Sequence, residues 1–368
     1  MSELLYRRVF EELRQAIRAG DFAVGEKLPS EAELTAKFSV SAITLKRALD
    51  LLRVDGYIIR RPRLGTFVVS AEPVTPVTAA TQPLGLPLIG CVVTTFDDTF
   101  GTRIIEGLLD GASRSAHLIV KRTGGDQTRE DELVRDLVEI GASGIVLLPS
   151  SSQFIPPAVL ELVTRQFPVV ILDRLFDGVP LSAVCSDNFG GGKTGTEYLF
   201  ELGHQQVGLI TSSSQVSTTA DRRQGYIRAH AEFHIPLDEN NELHTIESTV
   251  PGSSVSIEDD IARLGDFVSA HPKVTAYLVS EYNIAVMLRE AVKHAGLSIP
   301  EDISVVCFDH PTAFADRGLF RFTHVSQDQN LLGENAIQQV LAQVANPKDT
   351  HRVVVPTQLV IGRSTRAR

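Results

Sequence analysis

From Leu88 to Asp309 the chain alternates short apolar runs with amphipathic stretches of helical period. The runs are PLIGCVVTTF, HLIVKRT, SGIVLLPS and FPVVILDR, then HQQVGLITSS, VTAYLVS and ISVVCFD. Between them lie helical segments such as RIIEGLLDGASRSA, EDELVRDLVEIG, RRQGYIRAHAEF and IAVMLREAVKHAG. Strands that are apolar on both faces, each followed by a helix, belong to parallel sheets covered on both sides. The series restarts near Asn188, which predicts an α/β domain of two doubly wound lobes. Lobe one is expected at 88–187 and 328–346, and lobe two at 188–327 and 350–364. Two such sheets in tandem leave a cleft at the carboxyl ends of their strands, where open α/β domains bind ligands.

The first 70 residues follow a different pattern. They carry 12 Lys and Arg against 9 Asp and Glu, a net of +3, whereas the remaining 298 carry 23 against 36, a net of −13. A small basic module therefore precedes a large acidic one, and only the former has an electrostatic footprint suited to nucleic acid. Leu5, Val9, Leu13 and Ile17 mark one face of a first helix that Gly20 can end. Ser30 with Glu33 three residues later reads as a capping box opening a second helix. Ser41 can cap a third, with Leu45, Leu49 and Leu52 inward and Gly56 as its stop, and YIIRR and TFVV then form a short ribbon around PRLG.

Three helices and a ribbon predict a winged helix-turn-helix whose third helix enters the major groove. Thr44, Lys46 and Arg47 remain on its outer face, Ser41 presents the helix N-terminus to phosphate, and Arg60, Arg61, Arg63 and Gly65 lie on or beside the wing. Arg47 is favoured as a base reader because its planar fork suits guanine. The segment from LYRRVF to RRPRLGTFV resembles the winged-helix domain of the GntR family of bacterial transcription factors. The resemblance implies that Glu31, in LPSE, supports a DNA-contacting arginine. The family's arginine after the capping serine is Ala42 here, and its first wing glycine is Arg63.

Residues 71–87, AEPVTPVTAATQPLGLP, are proline-rich and aperiodic, and read as a semi-extended linker. Beyond it the chain is similar to the sugar-binding effector domain of the LacI/GalR regulators, itself similar to periplasmic sugar-binding proteins. The likeness lies in VLLPSS, VVILDR, SDNFGGGKTGTEYLFELGHQQVGLI, DRRQGYIRAH, GLSIPEDISVVCFDH and VVVPTQLVIGRS. It implies ligand contacts from Asp309, directly after SVVCF, and from Arg222, in DRRQGY. Where the family has Asn-Asp this chain has Glu281 and Tyr282, which are further candidate ligand contacts. Asp97, Asp98 and Phe100 follow the first strand of the domain, Lys121 the second, and Asp173 the VVIL strand; any of these can border ligand, and Lys121 and Asp173 can equally pair with one another.

Several function classes drop out. No 18-residue apolar run exists and MSELLYRRVFEELRQ turns charged too early for an export signal, so a cytoplasmic protein without a membrane partner is expected, nucleoid-associated when DNA-bound. Cys91, Cys185 and Cys307 are widely spaced within apolar runs and read as reduced core residues, without a metal site. GGGKTG at 190–195 looks like the end of a phosphate loop, but Asp187 stands where the leading glycine belongs; the glycines read instead as a turn into a helix near Thr194. Neither HExxH nor GxSxG occurs, and His204, His230, His234, His294, His310 and His324 are scattered, so catalysis is not expected. The reading is a homodimeric regulator of a palindromic double-stranded operator, a repressor with activation as the alternative. A monosaccharide or derivative is the expected effector, with no cofactor. A non-catalytic sugar-binding or interaction protein is the competing class.

Overall fold

The computed structural model describes residues 2–54, 57–61, 65–70, 85–96, 99–176, 178–311 and 320–368. The chain divides into two units, Met1–Leu84 and Gly85–Arg368.

In the first unit the helices are α1 (Ser2–Ala19), α2 (Glu31–Phe38) and α3 (Ala42–Val54), followed by β1 (Ile58–Arg61) and β2 (Gly65–Val68). The inward face of α1 is Tyr6, Val9, Phe10, Leu13 and Ile17, while Leu5 lies at the surface. Both residues are apolar enough for the interior, but Tyr6 completes the i, i+3, i+4 stripe with Val9 and Phe10. The capping box forms: Glu33 N–H donates to Ser30 Oγ at 3.3 Å and Ser30 N–H donates to Glu33 Oε2 at 2.8 Å. Ser39, left-handed at φ 53°, ends α2, and Leu45, Ala48, Leu49 and Leu52 of α3 join the α1 stripe in one core. β1 and β2 pair antiparallel with Arg60 opposite Thr66 and Arg61 opposite Gly65. Gly56, Arg63 and most of the linker fall outside the described residues.

The second unit contains strands β3 (Leu88–Val93), β4 (His117–Arg122), β5 (Gly144–Leu147), β6 (Val169–Leu172), β7 (Ser182–Ser186), β8 (Val207–Ser212), β9 (Glu242–Ile246), β10 (Ala276–Val279), β11 (Ser304–Phe308), β12 (Thr323–Ser326), β13 (Arg352–Val355) and β14 (Gln358–Val360). Its helices are α4 (Thr99–Ala112), α5 (Gln127–Ile140), α6 (Pro157–Thr164), α7 (Asn188–Glu201), α8 (Ser217–Glu232), α9 (Ile257–Ala270), α10 (Tyr282–His294) and α11 (Gln329–Ala345). Two six-stranded sheets result, in the orders β13-β7-β6-β5-β3-β4 and β14-β12-β11-β10-β8-β9. Every pairing is parallel except β14 against β12. Strands such as β5 and β6 are apolar throughout, and β10 and β11 nearly so, because helices cover both faces.

Two expectations need correction. The run RVVVPTQLVIG, expected within lobe two at 350–364, divides between the sheets: β13 pairs with β7 in the first, and only β14 reaches the second. Pro356, which has no N–H to extend a ladder, separates them. Among the described residues the chain thus passes between the sheets after Ser186, after Ser326 and after Val355. The glycines of GGGKTG do not form a turn: α7 already starts at Asn188, capped by Asp187 Oδ1 accepting from Gly190 N–H at 2.8 Å. They serve close packing, since a Cβ on Gly192 would lie 2.2 Å from the Arg222 carbonyl oxygen of α8.

The three cysteines are buried and form no disulfide. No helix among the described residues is long and apolar enough to cross a membrane.

Candidate functional site

On the first unit, α3 presents Ser41, Ala42, Ile43, Lys46 and Arg47 to solvent. Ser41 Oγ accepts from Thr44 N–H at 3.3 Å and lies 2.8 Å from Thr44 Oγ1, so both hydroxyls are engaged in opening the helix. The Arg47 guanidinium sits over the Tyr6 ring, 4.6 Å from its centroid. Lys46 lines a small cavity of about 20 Å³ together with Glu31, Asp50 and Arg53. The backbones of Arg60, Arg61 and Gly65 form the ribbon; the side chains of both arginines, like Arg63, lie outside what is described.

In the second unit a cavity of about 130 Å³ opens at the carboxyl ends of the strands of both sheets. Arg222, Asp309, Glu281, Tyr282, Asp173 and Phe100 all line it. The local reason is shared: Asp173 follows β6, Glu281 follows β10 and Asp309 follows β11, so each side chain emerges where a buried strand ends. Asp173 and Asp309 turn there in the left-handed region, at φ 66° and 61°, which an aspartate tolerates better than most side chains. Lys121 does not reach the cavity: it lies on β4 at the sheet's far edge, with β3 and β5 between it and β6, so the suggested pairing of neighbouring strand ends does not arise. Asp97 and Asp98 lie outside the described residues.

Arg222 is buried in α8, its guanidinium 3.8 Å from the Phe308 ring centroid. Its Nε donates to Asn188 Oδ1 at 2.8 Å and its Nη1 to the Ser280 carbonyl at 2.6 Å. Burial pulls the guanidinium below its ordinary value, against the nearby charges of Asp309, Asp173 and Glu281. Burial likewise pushes Asp309 up to about 6, although Arg222 and Gln327 favour its ionised form. Glu281 is also raised by burial, opposed by the Ser212 hydroxyl that donates to its Oε1 at 2.7 Å.

Sequence reasoning missed Gln327, Arg174, Ser280 and Ser212 as lining residues. Gln327 Oε1 and Ser280 Oγ are buried and accept or donate no hydrogen bond within the protein. Acceptors from the carboxylates and Gln327, donors from Arg222 and Arg174, and the faces of Phe100, Phe308 and Tyr282 together suit a compact molecule rich in hydroxyls. No group of three His, Cys, Asp or Glu among the described residues could hold a metal ion.

The lobes clasp each other beside this cavity. Ser152, after β5, donates its N–H to the Gln215 carbonyl at 3.1 Å and accepts through Oγ from Ser217 N–H at 2.8 Å. Ser217 Oγ in turn accepts from Leu175 N–H at 2.9 Å. The residue preceding α8 is Val216, which cannot cap it, so Ser152 of lobe one supplies an acceptor to the first turn of the helix that carries Arg222.

Comparison with known proteins agrees with both halves of the chain. Residues 5–68 match the bacterial regulatory proteins of the gntR family, and residues 196–365 match the periplasmic binding protein-like domain. The arabinose metabolism transcriptional repressor of Geobacillus stearothermophilus is 26% identical over 98% of this chain and 97% of its own. Two solved structures share the fold of the second unit. One is a LacI family transcriptional regulator from Enterococcus faecium with bound ribose, at TM-score 0.63, 21% identity, and coverage of 76% of this chain and 99% of that one. The other is the lac repressor dimer bound to operator and an anti-inducer, at TM-score 0.66, 20% identity, and coverage of 77% and 96%. The chain thus joins a GntR-type winged-helix domain to a LacI/GalR-like effector domain of the periplasmic-binding-protein type, and is a DNA-binding transcriptional regulator.

Proposed function

We propose that this regulator is a homodimeric repressor whose operator affinity is set by a neutral monosaccharide or close derivative bound at Arg222 and Asp309. One observation carries the reading: each of these two buried residues is hydrogen-bonded to a residue where the chain crosses between lobes. Arg222 holds Asn188, the first residue of α7 after β7, and Asp309 holds Gln327, between β12 and α11. A ligand that takes up the same polar atoms changes the crossings directly, and therefore the balance between lobe orientations. Named relatives of the chain are repressors of arabinose and ribose genes, and a related fold is dimeric on its operator, which supports the choice of effector class and assembly. A twofold pair of winged helices fits a palindromic site. Three carboxylates beside two arginines disfavour a multiply phosphorylated ligand.

The test is a calorimetric screen of neutral pentoses and hexoses with the full chain, followed by operator titrations with and without each hit. Arg222→Ala and Asp309→Ala should lose the ligand response and keep operator binding. A sugar that binds tightly yet leaves operator affinity unchanged refutes allosteric repression, because a ligand shifts a balance only by its unequal affinity for the two states.

A further inference from the structure

Ile43 is 82% exposed, more than any other large hydrophobic among the described residues. It stands in the first turn of α3, two residues after the capping Ser41. Nine residues separate it from the fully buried Leu52, which at about 100° per residue places the two on opposite sides of the helix. Lys46 and Arg47, three and four residues on, share its face. Nothing in the packing of the first unit calls for an isoleucine there.

Two neighbours that could read bases by hydrogen bonding already make contacts within the domain. Thr44 is tied to Ser41 and Arg47 is stacked on Tyr6, while Lys46 lies nearly a turn further along the helix. Ala42, before Ile43, has no polar side chain. The leading turn of the recognition helix, the part that approaches base edges in this class of domain, is therefore apolar. The major groove offers one apolar feature to such a surface, the C5-methyl group of thymine.

We infer that Ile43 is a specificity-determining residue that packs on a thymine methyl in each operator half-site. The inference rests on the DNA-binding role of the first unit and is independent of the effector. Ile43 then selects thymine at one position, through a contact separate from any that Lys46 or Arg47 makes with bases or phosphate.

The experiment starts by selecting preferred duplexes from a randomised library with the full-length protein. Each thymine of the selected site is then replaced in turn by deoxyuridine, which removes only the methyl group. At one position per half-site the replacement should weaken binding about fourfold, and about 15-fold when both half-sites are changed, the equivalent of one buried methyl each. Ile43→Ala should bind the thymine and deoxyuridine duplexes equally at that position and keep the wild-type salt dependence, since no phosphate contact is lost. Its melting temperature should match the wild type because the side chain is exposed, and retained binding to the deoxyuridine duplex demonstrates a folded variant. A selected site without a methyl-sensitive thymine, or an Ile43→Ala protein that retains the sensitivity, overturns the inference alone. Selection that yields no preferred sequence overturns it together with the DNA-reading role of α3. An unchanged operator affinity in Ile43→Ala also overturns it and points to a protein partner at this face.

Discussion

Gln327 donates its side-chain Nε2 to Asp309 Oδ2 at 2.6 Å and its backbone N–H to Oδ1 at 3.2 Å. The carboxylate that ends β11 is thereby gripped by the residue that carries the chain out of the second sheet toward α11. Gln327 lines the cavity as well, so one residue meets the cavity and the crossing together.

Gln327→Ala removes a donor and leaves a buried carboxylate with one partner fewer. Unfolding free energy should fall by about 1–3 kcal/mol, the cost of an unsatisfied buried acceptor. Ligand affinity should fall by about tenfold or more while operator binding persists. Chemical denaturation and sugar calorimetry check the two effects separately; an unchanged ligand affinity would mean that Gln327 has no part in the site.

The raised value of Asp309 gives a signed dependence on pH. Its folded value of about 6 exceeds the ordinary 3.8, so its contribution to stability is full below about 3.8 and is lost as pH rises through about 6. Ligand hydroxyls favour the ionised carboxylate, so sugar binding should release a proton near pH 6, and affinity should weaken by up to about tenfold per unit below that. Calorimetry at pH 6 in two buffers of different ionisation enthalpy reads the proton directly. Asp309→Asn should abolish the buffer dependence, and its absence in the wild type would exclude Asp309 as the titrating contact.

What the sequence made legible was whatever depends on local pattern. The Ser30 and Glu33 capping box, the leucines of α3 and the apolar strands are local, as are the acids that directly follow SVVCF, AYLVS and VVIL. Gln327 obeys the same end-of-strand rule, but its strand β12 is only THVS, too short and too polar to stand out. Lys121 follows the apolar run HLIV in the same way, yet it lies within β4 at the sheet edge and does not line the cavity, because strand order is a tertiary property. The stacking of Arg47 on Tyr6 joins residues 41 positions apart in sequence, and no local signal announces it.

Gly192→Ala tests the packing role of the GGGKTG segment. The new Cβ would meet backbone of α8 at Arg222, 2.2 Å away, and backbone cannot rotate aside as a side chain can. Overpacking of this kind costs about 3 kcal/mol, and the displaced helix carries Arg222 with it. Thermal unfolding should shift downward and sugar binding should weaken strongly, with DNA binding retained at temperatures where the variant is folded. A protein that tolerates alanine, or even serine, at 192 without loss would show that α7 and α8 can separate freely.

Ser152→Ala tests the clasp between the lobes. The hydroxyl accepts from the first-turn N–H of α8, which Val216 leaves without a cap, so its loss should cost about 1 kcal/mol. That cost falls on the clasped arrangement alone, because in a separated arrangement Ser217 N–H reaches water. Sugar affinity should therefore drop about fivefold, mostly through faster dissociation, while the unfolding midpoint without ligand moves little. Ser152→Thr keeps the acceptor oxygen and should restore part of the affinity. Stopped-flow dissociation rates distinguish the cases: equal rates for wild type and Ser152→Ala would mean that the clasp does not retain the ligand.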